Sequence, residues 1–129
     1  MNTNSKKVLV TGATGFLGSK LCVYLKNKGF SVIATGRNQN KGEELKSNGF
    51  EFIQADLTKD KLEDKFQNID FVVHCAALSS PWGKYSDFYE ANILATKNIA
   101  ELCISNKIRL VHISSPSIYF EFKDKFDIK

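Results

Sequence analysis

The chain has 129 residues, 43% of them hydrophobic and 25% charged, with a net charge of +4. These values fit one soluble globular domain large enough for a real core. The basic residues are scattered, and the densest runs, Lys6-Lys7 and 41–46, carry no interleaved aromatics, so they read as solvated surface and not as a nucleic-acid patch. The N-terminus has no apolar signal region and no run is long enough to span a bilayer, which makes the cytoplasm the expected location. Cys22, Cys75 and Cys103 lie far apart in apolar segments, with no metal-ligand spacing, and read as buried reduced thiols.

Residues 1–5 form a short polar tail. The run Lys7-Val8-Leu9-Val10-Thr11 predicts a first strand. Leu17, Leu21, Cys22 and Leu25 give a helical period over 15–28, stopped at Gly29. A second strand follows over 30–35, then the loop Gly36-Arg37-Asn38 and a short polar helix over 41–47. A third strand covers 50–54, exits through Ala55-Asp56-Leu57-Thr58, and leads to a short helix over 60–66. The near-continuous apolar run 69–74 suits a strand buried on both faces of a parallel sheet. After a loop over 79–84, the longest helix runs over 87–105, with Phe88, Ala91, Ala95, Ile99, Leu102 and Cys103 on one face. Residues 109–114 predict a fifth strand, and 115–129 are polar, aromatic and irregular. This alternation predicts an α/β fold, a doubly wound parallel sheet in the order 3-2-1-4-5 with right-handed crossovers. A ligand is expected at the carboxyl ends of the strands, beside the switch between strands one and four.

The turn Thr11-Gly12-Ala13-Thr14-Gly15-Phe16-Leu17-Gly18 joins the first strand to the first helix, the setting of a dinucleotide-binding turn. Gly12 allows the tight turn, Gly15 lets backbone approach a pyrophosphate, and Gly18 lets the helix pack close to the strand. The helix N-terminus offers N–H groups and a partial positive charge. The second strand ends in Thr35-Gly36-Arg37-Asn38, without the carboxylate that takes the ribose hydroxyls of NAD. Arg37 suits a 2′-phosphate, so NADP is favoured over NAD. Stacking on adenine or pointing to solvent are its other readings, and Thr35 is a weaker candidate for the ribose side. His74 sits inside its strand and reads as a satisfied core histidine, not a base. His112 is also a strand residue, with no partner evident. Trp82, the only tryptophan, either lines the pocket mouth or packs on the following helix.

The spacing T-G-x-x-G-x-x-G and the string TGATGFLG resemble the extended short-chain dehydrogenase/reductases: nucleotide-sugar epimerases, dehydratases and 3β-hydroxysteroid dehydrogenases. Val72-Val73-His74-Cys75-Ala76-Ala77 is similar to that family's V-x-H-x-A-A. Tyr89-Glu90-Ala91-Asn92-Ile93-Leu94-Ala95-Thr96 is similar to its Y-x-x-N-V-x-G-T, with Ala95 where Gly is usual. Ile113-Ser114-Ser115-Pro116-Ser117-Ile118-Tyr119 resembles its S-S-x-x-x-Y segment. The resemblance implies a Rossmann-type NAD(P)-binding domain over residues 1–129. In it Gly12, Thr14, Gly15, Phe16, Leu17 and Gly18 cradle the dinucleotide, and Arg37 meets its ribose side. Asp56 takes the adenine amino group and Leu57 covers the ring; a helix-capping aspartate is the ordinary alternative. Ala76 and Ala77 let the strand end approach the ribose and phosphates. Asn92 organises backbone and water near the nicotinamide ribose, Ser114 lies beside the cofactor, and Ser115 is the catalytic hydroxyl on the substrate oxygen. No metal is implied.

Tyr119 and Lys123 spell Y-x-x-x-K, the superfamily's catalytic signature. In the resembled family, however, the Tyr that closes S-S-x-x-x-Y is not the catalytic one, which comes well downstream at the start of a new helix. The resemblance covers nearly the whole chain but only the family's N-terminal portion. It implies oxidoreduction or epimerisation at a secondary alcohol or ketone of a sugar-nucleotide or steroid-like substrate in the whole parent. The chain alone is expected to be inactive and to self-associate through an exposed strand 109–114. A non-catalytic NAD(P)-binding sensor or interaction module is the alternative.

Overall fold

The computed structural model describes residues 6–75 and 85–113, the side chains of 85–92 excepted. The elements alternate along the chain: β1 (Lys7–Thr11), α1 (Phe16–Asn27), β2 (Ser31–Gly36), α2 (Gln39–Ser47), β3 (Glu51–Gln54), α3 (Leu62–Lys65), β4 (Phe71–His74), α4 (Tyr85–Asn106) and β5 (Arg109–His112). The strands form one sheet in the order β3-β2-β1-β4-β5, every neighbouring pair parallel. This is the Rossmann-type order expected, with β1 central and the switch between β1 and β4.

Alternation along β1 explains the two layers, because successive side chains leave opposite faces of a strand. Val8 and Val10 pack with Cys22 of α1 and Leu45 of α2. Leu9, on the other face, packs with Leu62 of α3 and with Ala95, Ile99, Leu102 and Cys103 of α4. Four of the six residues expected on the inner face of the longest helix are thus in the core; the side chains of Phe88 and Ala91 lie outside the described set. The cysteines behave as expected of buried thiols. Cys22 and Cys103 are buried, Cys75 half-buried, and burial pushes the Cys22 and Cys75 thiols up to about 11.

Small shifts at element ends have local causes. β2 starts at Ser31 because the Phe30 N–H closes α1 on the Leu25 carbonyl. α2 starts at Gln39, earlier than expected, because the Asn38 side chain accepts the Lys41 N–H at 3.0 Å and caps the helix. α3 is a single turn over Leu62–Lys65.

Helix α2 rests on β3 through Gly42, where a Cβ would lie 2.1 Å from a ring carbon of buried Phe52. Overpacking of this kind costs roughly 1–3 kcal/mol, against a helix-propensity gain of about 1 kcal/mol for alanine. We expect Gly42→Ala to lower the unfolding free energy by about 1 kcal/mol in a urea titration. A gain in stability would show that α2 does not press on that ring.

Candidate dinucleotide site

β1 ends at Thr11 and the chain turns at Gly12, whose φ is 64°. The turn is tied on both sides: the Ala13 N–H donates to the Thr35 carbonyl of β2 and the Gly15 N–H to the Gly12 carbonyl, both at 3.0 Å. Helix α1 then leaves directly over the strand exit. Gly18 permits this, since a Cβ there would sit 2.1 Å from the Gly12 oxygen and 2.9 Å from the Ala13 Cα.

The N-terminus of α1 is left open toward the outside. Gly15 is its N-cap, no side chain caps it, and its first turn holds no acidic residue. The first amides of a helix have no partner within it, so they and the positive end of the helix dipole face outward. At Gly15 a Cβ would make only an ordinary 3.4 Å contact with the Gly12 oxygen. The fold itself thus leaves room for a side chain at Gly15, and its absence keeps the amide face clear. A pyrophosphate fits such a face. Phe16 is 80% exposed, with the Lys20 ammonium 4.9 Å from its ring centre, and Leu17 is 38% exposed. Their backbone amides, not their side chains, belong to this face.

The ends of β2 and β3 lie alongside. A side chain on Gly36 would meet that of Thr14 at 3.0 Å, so the glycine turn and Arg37 are neighbours. Arg37 is exposed, and its carbonyl accepts the Gln54 side-chain amide at 3.0 Å. Thr35 is not available to a ribose: it is 1% exposed and its hydroxyl donates to the Ile53 carbonyl at 2.6 Å. That expectation is corrected by the position of its hydroxyl inside the sheet.

Asp56 caps its own turn, accepting the Thr58 hydroxyl at 2.6 Å and the Thr58 N–H at 2.9 Å through Oδ1. The Thr58 hydroxyl, then its N–H and the Arg37 and Lys59 charges, hold the carboxyl below its usual value against the opposing effect of burial. An ionised acceptor beside Arg37 is what remains. Leu57 departs from expectation. It is 8% exposed and packed in the core, and its carbonyl accepts the Asn98 amide at 2.7 Å. Its side chain therefore has little surface with which to cover an adenine ring.

His74 is the satisfied core histidine expected of it. Its Nδ1 lies 2.7 Å from the Thr11 hydroxyl and its Nε2 3.0 Å from that of Thr96. The His112 ring stacks on it at 5.4 Å between centres. These partners of His74 were not legible beforehand, because Thr11 and Thr96 lie 63 and 22 residues away in sequence.

Ala76, Ala77, Trp82, Ser114, Ser115, Tyr119 and Lys123 lie outside the described residues, as does the side chain of Asn92. An open groove of about 1090 Å³ starts at Thr14, Gly15 and Phe16 and runs between α1 and α2, past Val23 and Tyr24. Arg37 and Asp56 are not among its walls.

Residues 8–127 match the NAD dependent epimerase/dehydratase family. The chain belongs to that family. Among its relatives, the uncharacterized protein YbjS of Escherichia coli is 43% identical over 127 residues, which are 95% of this chain and 38% of YbjS. A 2-alkyl-3-oxoalkanoate reductase of Stenotrophomonas maltophilia is 36% identical over 87% of this chain and 34% of its own length. The solved structure of MoeE5 in complex with UDP-glucose and NAD is 37% identical, with a TM-score of 0.72 over 88% of this chain and 38% of that one. The chain thus spans little more than a third of the length of these relatives. Members of this epimerase/dehydratase family are NAD-dependent. Among the described residues no helix is long and apolar enough to cross a membrane, and no cluster of side chains could hold a metal.

Burial, and then His112, push the His74 pKa down from 6.5 to about 4. The folded chain therefore resists a proton that the unfolded chain accepts. The stabilisation is complete above pH 6.5 and is lost as pH falls toward 4. A shift of this size is worth up to about 3 kcal/mol. Asp56, whose value is lowered from 3.8, adds its effect only further down. We expect the unfolding free energy to decline between pH 6.5 and 4, and less steeply in His74→Gln. A flat profile for the unsubstituted chain would contradict a neutral buried His74.

Proposed function

We propose that this chain forms the cofactor half of a nicotinamide-dependent oxidoreductase or epimerase acting on a secondary alcohol or ketone, of sugar-nucleotide or steroid-like class, with NADP preferred over NAD. The observation that carries the reading is the uncapped amide face of α1 with exposed Arg37 beside it and no carboxylate at the end of β2. The amides at Phe16, Leu17 and Gly18, with Gly12, Thr14 and Gly15, would hold the pyrophosphate. Arg37 would pair with the 2′-phosphate as a charge-assisted donor. Asp56 would accept from the adenine amino group, and Leu57 would contribute backbone alone. The bound nicotinamide supplies or takes a hydride. In the whole protein Ser115 would hold the substrate oxygen by a hydrogen bond, with Ser114, Ala76, Ala77 and Asn92 lining the cofactor. The small share of each relative that the chain spans supports catalysis by the whole protein, not by this portion alone.

Calorimetric titration with NADPH and NADH tests the preference. A charge-assisted hydrogen bond is worth roughly 1.5–3 kcal/mol, or about 10- to 100-fold in affinity. Arg37→Ala should weaken NADPH binding by that factor and leave NADH within about two-fold. Equal loss for both, or selectivity for NADH in the unsubstituted chain, would remove Arg37 from the 2′-phosphate.

We also propose self-association through the β5 edge. Among the described residues β5 pairs with β4 alone, and Val111 on it is 47% exposed. Such edges invite pairing with another chain. Sedimentation velocity should show a dimer that Val111→Lys converts to monomer; a monomer at all concentrations would dismiss it.

A further inference from the structure

Three elements meet at one buried side chain. The β1–β4 register sets Thr11 opposite His74, and the β4–β5 register sets His74 opposite His112. Thr96, on α4, reaches the far nitrogen of the same ring. Thr11 is fully buried and His74 is 2% exposed, so neither can turn to water for a missing partner.

The donors can be assigned one by one. The Cys75 N–H lies 2.9 Å from the Thr11 Oγ1 and can only donate, so that oxygen accepts there. The hydroxyl's own proton then needs an acceptor, and Nδ1 of His74 at 2.7 Å is the one in reach. Nδ1 is therefore unprotonated, and the ring proton sits on Nε2, which donates to the Thr96 Oγ1 at 3.0 Å. The chain of donors runs Thr11 to His74 to Thr96. A second proton on the ring would strand the Thr11 hydroxyl inside the sheet.

We propose that His74 is a positioning residue for the cofactor site: as a neutral imidazole protonated on Nε2, it bridges Thr11 to Thr96 and so fixes the glycine turn relative to α4. Thr11 is covalently next to Gly12, where the turn begins. Thr96 stands one helical turn after Asn92, so the same bond sets the height and rotation of α4 at that residue. The inference rests on the dinucleotide reading of the Gly12–Gly18 turn. Among the described residues the titratable group facing the ring is His112 of β5; β1 and α4 present the hydroxyls of Thr11 and Thr96, and the neighbouring Cys75 side chain packs on the other face of the sheet. Burial and His112 both favour the neutral ring that the bridge requires.

Long-range nitrogen–proton NMR of the histidine rings in the unsubstituted chain reads the tautomer directly, and NADPH titration reads the site. At pH 7 we expect His74 as the Nε2–H tautomer. Thr96→Val removes the acceptor. It should move the His74 nitrogen shifts toward the other tautomer and weaken NADPH binding about ten-fold, while Thr96→Ser, which keeps a hydroxyl, restores both. An Nδ1–H tautomer or a charged ring at pH 7 in the unsubstituted chain overturns the proposal without any variant. So does a folded Thr96→Val that binds NADPH as tightly as the unsubstituted chain. If the unsubstituted chain binds neither NADPH nor NADH, the dinucleotide reading falls, and the positioning role with it.

Discussion

The passage of helix α1 over the exit of β1, at Gly18 against Gly12, is the contact on which the candidate site depends. A single added carbon at Gly18 would lie 2.1 Å from a backbone oxygen that has nowhere to move, because the turn is pinned to Thr35 on one side and to Gly15 on the other. Close approach sets the direction of the helix axis, and the axis sets where its unpaired amides point. The chemistry follows from packing: the site is a helix end held in place by an absent side chain.

Around that contact the polar groups are divided between those that bind the fold together and those that are left over. Thr11, Thr35, His74, Thr96 and Asn98 spend their polar side-chain atoms inside, joining β1 to β4, β2 to β3, and α4 to both β4 and the loop after β3. No side-chain nitrogen or oxygen buried among the described residues lacks a partner. Arg37 and the amide face of α1 are what remain at the carboxyl edge of β1 and β2, together with an Asp56 carboxylate held ionised by Thr58 and Arg37. These leftovers are a positive helix end, a guanidinium and a carboxylate side by side, the groups that the proposed function would turn toward a dinucleotide.

Much of this was legible in sequence because it is local. The Lys7–Thr11 strand, the glycine turn and Arg37 lie in consecutive segments, and glycine spacing reports backbone geometry directly. The order of the sheet followed from alternation and crossover handedness. What sequence hid were contacts made across the sheet. Asn38 is not marked as a helix cap in the sequence, because the polar run after it has no apolar face to show where the helix starts. Leu57 resembles the residue that covers an adenine ring in the family, but the Asn98 bond to its carbonyl and the core beneath draw its side chain inward. Thr35, equally well placed in sequence for a ribose, was taken by the Ile53 carbonyl of the neighbouring strand. The place of His74 inside an apolar strand marks it as a core residue, but its partners depend on strand register, which no local pattern encodes.

Backbone amide NMR of the chain titrated with NADPH asks whether the Gly12–Gly18 turn and Arg37 form a dinucleotide half-site. A half-site there shifts the amides of Gly12 to Gly18, of Arg37 and Asn38, and of Asp56 and Leu57, with little change along the α1–α2 groove at Val23 and Tyr24. Shifts confined to that groove, or none at saturating NADPH, would contradict it.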